Sequence, residues 1–333
     1  MGHSWQVVSL LVRAGSGFFA VPLVAGIGEG LVFSNRDQRT QLDFLTSLLD
    51  ATGLTTPFTL VADAYYACRK VGRSLLARGC HLISRMRITA VAYEPFVPPD
   101  GKRTPGRPRI YGEKIKLKTL FDRSMTEMTS PYPGEKETLK FCFTDLIWRP
   151  LGRICRFVAV DHPRMGKRLF FSSDLTLSPE QILLTYSWRF KIEVCFRQAV
   201  HVLGTFAYHF WMKMMKRIKK RSGDQYLHRT TDKYRSKIRQ KLNAYEIHVQ
   251  IGMIAQGLLQ YLACSRSNVV WQSFRGWIKT IRPGLPPSEL VVAHALRDSF
   301  GEFLLRCGPK HFFKKFINGK IDPGKIPKFT IAA

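Results

Sequence analysis

The segment from residue 58 to residue 86 constrains the fold more than any other part of the chain. Residues 58–62 form a short apolar run that ends at Asp63, residues 67–77 have helical spacing, and residues 81–86 form a second apolar run after Gly79. A strand, a helix and a strand in this order form a unit whose two strands pair in parallel. The sequence therefore predicts an α/β domain with a partly parallel sheet.

A β-hairpin is predicted ahead of this unit. Residues 5–12 and 18–27 are rich in Val, Leu and Phe, and the four residues 14–17 between them have the composition of a tight turn. Residues 37–49 have leucines at helical spacing and precede Gly53, so they predict an amphipathic helix.

The middle of the chain combines a loop with further strands. Residues 93–134 contain seven prolines and many cations without periodicity, which predicts a long basic loop. Residues 139–147, 153–160 and 169–173 alternate in polarity or are rich in β-forming residues, which predicts a small antiparallel group. We interpret the whole of residues 93–177 as an insertion in one domain.

The last part of the chain is predicted to be helical. Ser178 is a suitable helix cap, Pro179 fits the first helical position, and Gln181 stands three residues after the cap. This helix is expected to run to about residue 203. Four further segments have helical spacing: 204–220, 233–263, 269–281 and 288–305.

The charge balance indicates a polyanionic partner. The 333 residues include 52 Lys and Arg against 24 Asp and Glu, for a formal net charge of +28. Cationic contacts to phosphates release condensed counterions, so such a chain gains affinity for nucleic acid without base contacts. A ribosomal or a membrane-surface protein would also fit the charge alone.

Cysteine usage and hydropathy indicate a protein of the cytoplasm. The seven cysteines are odd in number, widely spread and without a C-x-x-C pair, which argues against a disulfide scaffold or a zinc ribbon. No segment reaches the roughly 18 apolar residues that a bilayer requires, so no membrane partner is expected. We expect a cytoplasmic, DNA-associated location.

Two carboxylates are candidates for metal chemistry. Tyr186, Arg189 and Glu193 are spaced i, i+3 and i+7, which places them on one helix face, and Asp63 follows a predicted strand. Acids from two separate elements suit Mg²⁺, which prefers oxygen ligands and keeps several waters. The alternatives are an ordinary surface ion pair of Glu193 with Arg189 or Arg197, and a helix-capping role for Asp63.

These residues resemble a known family. Residues 186–193, YSWRFKIE, resemble the Y-x-x-R-x-x-x-E signature of DDE transposases from bacterial insertion sequences, and residues 61–66, VADAYY, are similar to the strand that carries their second aspartate. Residues 173–175 and 181–183 resemble the approach to their glutamate helix. The resemblance spans nearly the whole chain. It implies an α/β, RNase H-like mixed sheet flanked by helices, with a β-rich insertion and a helical C-terminal part.

The resemblance also implies a site and a reaction. Asp63 would be the second metal ligand and Glu193 the third, with Mg²⁺ or Mn²⁺ bound, while Tyr186 and Arg189 would contact DNA phosphate or orient the acids. The family reaction is metal-dependent phosphodiester hydrolysis followed by strand transfer.

Two departures from the family pattern put that activity in doubt. Val200 stands where the signature has a lysine, and no residue before the hairpin supplies the family's first aspartate. Asp37 and Asp43 are expected to be caps or solvated charges. We therefore expect an N-terminally truncated copy with impaired catalysis.

The expected organisation is one catalytic domain in three parts. Residues 1–92 form the first half of the core without its first strand, residues 93–177 the basic loop and β-rich insertion, and residues 178–333 the glutamate helix with the basic helical C-terminal part.

Two basic stretches are candidate DNA contacts. One stretch, residues 213–241, has tyrosines and a histidine among its cations; the other, residues 103–109, resembles an arginine hook for the minor groove. A solvated helix face and an ordinary flexible loop are the alternatives. The residues expected to contact DNA are Lys213, Lys216, Arg217, Lys219, Lys220, Arg221, Arg107 and Arg109.

Three functions remain open from the sequence. The first is a transposase-derived protein that binds duplex DNA, both transposon ends and target, and forms a dimer with itself or with a full-length transposase. The second is a non-catalytic DNA-binding inhibitor of a full-length transposase. The third is a basic RNA-binding protein that reuses the fold.

Overall fold

The structure is a computed structural model that describes residues 4–28, 31–98, 106, 108–132, 134–208, 225–277, 285–306 and 308. Its strands are β1 (Trp5–Ala14), β2 (Gly17–Ile27), β3 (Leu31–Val32), β4 (Thr59–Ala62), β5 (His81–Met86), β6 (Val91–Pro95), β7 (Tyr111–Lys116), β8 (Thr126–Thr129), β9 (Thr138–Trp148), β10 (Arg153–His162), β11 (Gly166–Ser172) and β12 (Gln225–Tyr226). Its helices are α1 (Gln41–Ala51), α2 (Arg69–Leu76), α3 (Pro179–Ser187), α4 (Lys191–Gln198), α5 (Asp232–Ser265), α6 (Ser267–Ser273) and α7 (Glu289–Arg306).

The main sheet is mixed. Its strand order is β4-β5-β11-β10-β9-β6-β7, and β8 pairs with β9 beside this path. Strands β4 and β5 pair in parallel across helix α2, as the strand-helix-strand pattern predicts, and the other pairs are antiparallel. Strand β11 pairs with β5, with Leu169 opposite Met86, so the predicted antiparallel group continues the same sheet.

The sheet is covered by helices on both faces because its central strands bury both of their faces. Leu82 and Phe171 belong to a core with α1 and α2, whereas Ile83 and Phe170, one residue away on the same strands, belong to a second core with Ile182 of α3. Neighbouring residues of a strand point to opposite faces. The mixed sheet flanked by helices agrees with the RNase H-like fold that the sequence predicts.

The predicted hairpin is confirmed and forms its own two-stranded sheet. Strands β1 and β2 pair antiparallel from Trp5 opposite Ile27 to Ala14 opposite Gly17. Gly15 has a φ of 59°, a left-handed conformation that glycine adopts without steric cost at a tight turn. Strand β2 packs against α4 and α5, which places the hairpin next to the glutamate helix.

Several predicted boundaries differ from the structure. Helix α1 begins at Gln41 rather than at residue 37, because Thr40 and Asp43 form a reciprocal capping box that fixes its start. Within the predicted loop 93–134, the structure has β7, β8 and a 3₁₀ turn, Leu117–Asp122. The loop prediction is therefore wrong over these residues. Short segments without strong periodicity of their own form strands here because they pair with neighbouring strands of the sheet.

The C-terminal helices agree in part with the prediction. Helices α5 and α7 match the predicted segments 233–263 and 288–305 closely. Of the predicted helix 204–220, the described residues 204–208 are not helical, and Gly204 has a φ of 65° that ends the preceding helical run. Helix α6 covers the predicted segment 269–281 only as far as Ser273, and residues 274–277 are not helical. Residues 209–220 and 278–281, which complete the two predicted segments, lie outside the described residues.

Every cysteine in the described part of the chain is a free thiol, and Cys307 lies outside that part. Among the described helices none has the length and apolar character needed to cross a bilayer.

Replacing Gly252 with Ala tests how tightly α5 packs against the turn that follows the glutamate helix. A Cβ at residue 252 would lie 2.5 Å from both Cγ2 and Oγ1 of buried Thr205. We expect Gly252→Ala to lower the free energy of unfolding by about 1–3 kcal/mol, measured by urea denaturation. Gly257→Ala is the matched control, because its Cβ meets Val21 at an ordinary 3.9 Å. Equal stability of the two variants would contradict this packing.

Candidate active site

Asp63 stands at the carboxyl end of β4, where the edge strand gives way to a 3₁₀ turn, Ala64–Tyr66. The backbone carbonyl of Asp63 accepts a hydrogen bond from the N–H of Tyr66, but its side chain makes no capping bond. The carboxylate is 53% exposed. It is therefore free of the capping role that was the alternative for this residue.

The glutamate helix is positioned by its cap and by a packing contact with the hairpin. The Ser178 hydroxyl accepts a hydrogen bond from the N–H of Gln181, whose side chain accepts one in return from the N–H of Ser178. Helix α3 then tightens into a 3₁₀ turn, Trp188–Phe190, before α4. The ring centroid of Trp188 lies 4.2 Å from the ring centroid of Phe18 on β2. The helical run predicted to reach residue 203 is thus confirmed, with the last five residues in a π turn.

Arg189 joins the two candidate carboxylates. Its Nη1 donates to Asp63 Oδ2 at 3.3 Å, and its Nη2 donates to Glu193 Oε1 at 2.7 Å. The hydroxyl of Tyr186 donates to Asp63 Oδ1 at 3.4 Å. The structure therefore brings together Asp63, Tyr186, Arg189 and Glu193, the residues that the sequence pattern selected.

The charges within this cluster are strongly coupled. Burial favours a lower pKa for the Arg189 guanidinium, but the charge of Asp63 and the hydrogen bond to Glu193 outweigh it, so the pKa of Arg189 is raised. For the Tyr186 phenol, burial instead raises the pKa. The Tyr186 ring packs edge-to-face on Phe170, with 5.0 Å between the ring centroids. The phenol therefore stays protonated and remains a donor to Asp63.

The donor set fits a divalent cation with oxygen ligands. Asp63 and Glu193 present carboxylates that are 53% and 51% exposed, which leaves room for waters and a phosphate in a coordination shell. Mg²⁺ is commonly held by only one or two protein carboxylates together with waters and substrate phosphates. In this structure the guanidinium of Arg189 pairs with both acids and offsets one of their two negative charges.

Asp37 and Asp43 are engaged in local structure, as expected. Both carboxylate oxygens of Asp37 accept hydrogen bonds from Arg39, and these bonds lower the pKa of Asp37 to about 2. Hydrogen bonds from Lys70 and from Thr40 lower the pKa of Asp43 to about 2 as well. Neither aspartate contacts Asp63 or Glu193 in the described structure.

A second acidic cluster, which the sequence did not single out, contains Glu135, Glu137 and His162. His162 Nδ1 accepts hydrogen bonds from the backbone N–H groups of Arg164 and Met165, so Nε2 carries the ring proton and donates to Glu135 at 3.1 Å. The Arg164 side chain pairs with Glu137 at 2.6 Å. A metal at Nε2 would require the ring proton to move to Nδ1, where it would oppose two N–H donors. We interpret the cluster as structural.

A cavity of about 510 Å³ adjoins Arg189, and no motif in the sequence predicts it. Arg85 of β5, Arg168 of β11 and Arg189 line it, and its other polar or aromatic lining residues include Tyr132, Tyr186, Glu135 and His162. Burial raises the pKa of Tyr132 to about 12, so this phenol is neutral. The cavity combines cations with aromatic rings beside Asp63, a composition suited to a nucleic-acid backbone and its bases.

Few of the predicted DNA contacts fall on described residues. Arg109 donates through Nε to the carbonyl of Tyr111 at 2.9 Å and lies 4.7 Å over the ring of Phe96. Arg107, Lys213, Lys216, Arg217, Lys219, Lys220 and Arg221 lie outside the described residues. The end of the same basic stretch forms the start of α5, where Lys233, Lys237 and Lys241 are exposed at a spacing of four residues.

Comparison with known proteins finds one family. Residues 19–131, about one third of the chain, match the family model of the DDE superfamily endonucleases. The matched segment contains Asp63 and its strand, and it ends before the helix of Glu193. No curated protein matches the chain. Over these residues the chain is similar to the DDE superfamily endonucleases, which agrees with the sequence prediction of a DDE-type transposase.

Replacing Arg189 tests whether its guanidinium competes with a cation for the two carboxylates. We expect Arg189→Met to tighten Mn²⁺ binding by about fivefold to tenfold, because removing one positive charge near an exposed site changes cation affinity by roughly 1 kcal/mol. Titration calorimetry measures the affinity. Arg197→Met, in α4 and bonded to neither acid in the described structure, is the control. Unchanged or weaker binding in Arg189→Met would show that Arg189 does not compete with the metal.

Proposed function

Starting from its match to the DDE superfamily endonucleases, we propose that the chain acts on duplex DNA as a protein derived from an insertion-sequence transposase. Its reaction is metal-dependent phosphodiester hydrolysis, with Asp63 and Glu193 holding Mg²⁺ or Mn²⁺. One observation carries the proposal: Asp63 from the sheet edge and Glu193 from the helix both bond to Arg189. Carboxylates that converge from separate elements are the arrangement that such a metal site requires.

The residues around the acids support a division of roles. Tyr186 donates to one oxygen of Asp63 and Arg189 to the other, so the carboxylate is held in one orientation. Arg189 also lines the cavity with Arg85 and Arg168, and these three guanidinium groups support phosphate binding beside the acids, although Glu135 lines the same cavity. A bound Mg²⁺ would supply Lewis acidity and an activated water.

We expect cleavage by these residues alone to be slow. In the described part of the chain, no third acidic or histidine ligand joins Asp63 and Glu193 in one cluster. A two-metal site uses a bridging carboxylate, and its absence removes transition-state stabilisation on the order of several kcal/mol. Impaired catalysis, as the family pattern suggests, is consistent with this arrangement.

The second candidate is a DNA-binding protein without catalysis that inhibits a full-length transposase, by occupying transposon ends or by forming mixed dimers. The ion pairs of Arg189 favour it, because the guanidinium already occupies one oxygen of each acid. A net charge of +28 supports DNA binding under either candidate.

Cleavage of labelled transposon-end DNA in Mg²⁺ or Mn²⁺ separates the two candidates. Under the first, cleavage is slow and falls to background in both Asp63→Asn and Glu193→Gln, because each variant loses a charged ligand. Glu180→Gln, at an exposed residue in the first turn of α3, should cleave like the parent protein. Binding without any cleavage would support the inhibitor, and cleavage that survives both substitutions would refute the assigned site.

The exposed lysines of α5 allow a test of DNA binding by salt dependence. If Lys233, Lys237 and Lys241 contact phosphates, replacing all three with Gln should reduce the slope of log affinity against log salt by about 2.7. Fluorescence anisotropy with duplex DNA measures this slope. Lys140→Gln is the control, because Lys140 lies near Glu127 at 3.6 Å and should change the slope less. An unchanged slope in the triple variant would place the DNA elsewhere.

A further inference from the structure

Helix α5 is apolar on two opposite sides. On its inner side, Val249 and Met253 are buried against Ala25 of the hairpin, and Leu259 and Ala263 are buried in a cluster with α6 and α7. On its outer side, five large apolar residues are each between 58% and 66% exposed: Ile247, Ile251, Ile254, Leu258 and Tyr261. A helix at a protein surface normally presents polar residues to water, so an apolar outer side indicates a contact surface.

These outer residues have the spacing of a coiled coil. With the exposed Ala244 they form what we call the outer stripe, in which successive members are three or four residues apart. This heptad spacing keeps one side of a helix turned toward a second helix along its length. The steps along the stripe are three, four, three, four and three residues, an order that is the same in both directions.

That symmetry makes the outer stripe complementary to itself in antiparallel orientation. If the α5 helices of two copies of this chain cross at their midpoint between residues 252 and 253, every member of one stripe faces a member of the other. Ala244 then faces Tyr261 of the other copy, Ile247 faces Leu258, and Ile251 faces Ile254. Small and large residues meet at the two ends, and branched apolar residues fill the middle, as the core of a coiled coil requires.

The charge distribution favours a second copy at this surface. Lys and Arg make up 52 of the 333 residues, yet none occurs between residues 242 and 265. The one acid in that range, Glu246, is half-buried and accepts a hydrogen bond from the backbone N–H of Ile27. Two molecules with a formal charge of +28 each repel one another wherever their cationic surfaces meet. The outer stripe is a surface on which they can approach without that repulsion.

The charges also select the orientation of the two helices. Toward the start of α5, the same spacing continues through the exposed residues Gln240, Lys237 and Lys233. In a parallel pair, each of these lysines would face its own counterpart, which is unfavourable. In an antiparallel pair, the lysines of the two copies lie at opposite ends of the seam.

We propose that the outer stripe of α5 pairs antiparallel with the outer stripe of a second copy of this chain. At a rise of about 1.5 Å per residue, the two copies of Lys237 are then roughly 45 Å apart along the seam. Each copy keeps its own candidate site and presents its own basic helix start to a separate segment of nucleic acid. The pairing itself requires neither DNA nor metal, so the proposal goes beyond the proposed function and does not depend on it.

Sedimentation velocity of the full 333-residue chain without DNA, over a range of protein concentrations, tests the pairing. We expect a reversible dimer. Ile251→Lys should raise the dimer dissociation constant at least about a hundredfold, because each dimer would bury two lysines without partners. Ile88→Lys is the matched control, since Ile88 is 42% exposed between β5 and β6 and the variant adds the same charge. It should change the dissociation constant less than twofold.

Both variants should unfold at the same urea concentration as the parent protein under conditions in which all three are monomeric, because each substituted side chain is exposed. A monomeric parent protein, or equal weakening by Ile251→Lys and Ile88→Lys, would overturn the proposal. If residues 209–224 or 309–333 of the same chain covered the outer stripe instead, the parent protein would be a monomer, so this outcome also counts against the second copy.

Disulfide cross-linking tests the antiparallel orientation. The variants carry Cys264→Ser, because Cys264 is an exposed thiol close to the seam. Ile247→Cys combined with Leu258→Cys should form covalent dimers on mild oxidation, whereas Ile247→Cys alone should form none. Residues 247 and 258 are roughly 16 Å apart along one helix, too far for a disulfide within a single chain. Equal cross-linking of the single and double variants would contradict the antiparallel pairing. A protein that dimerises in this way but cleaves no DNA retains this inference and loses only the nuclease function.

Discussion

The burial of both faces of the central strands determines where the chemistry lies. Strands β5, β10 and β11 carry large apolar residues at successive positions, so the sheet is stable only when helices cover both of its sides. Helices α1 and α2 cover one side and α3 covers the other. Helix α3 therefore runs over the sheet close to the end of β4, and the turn after it brings Arg189 and Glu193 to Asp63.

The electrostatics of the site follow from this convergence. Two carboxylates that are each about half exposed lie near one guanidinium that is 23% exposed, so the cluster keeps a net negative charge within a chain of net charge +28. A small acidic centre in a basic surface attracts a divalent cation while the surroundings attract phosphate. The three arginines of the adjoining cavity extend the basic surface up to the acids.

Local sequence patterns predict those elements of the fold whose long-range contacts require the same secondary structure. The hairpin, the parallel pair β4 and β5, and the capped start of α3 follow from turn composition, periodicity and a capping box. The sequence pattern does not predict strands β7 and β8. Both are short, largely polar segments of a proline-rich region, and pairing with β6 and β9 orders them rather than their own propensity. The motif selected Asp63, Tyr186, Arg189 and Glu193. It did not select Arg85 and Arg168, since only strand register brings these residues together from distant parts of the chain.

The central claim is that Asp63 and Glu193 share a divalent cation, and anomalous diffraction from crystals soaked in Mn²⁺ tests it most directly. The account predicts an anomalous peak at about 2.0–2.2 Å from oxygens of both carboxylates, with the guanidinium of Arg189 displaced from at least one of them. A peak at Glu135 and His162, or none near Asp63 at a saturating concentration, would contradict it.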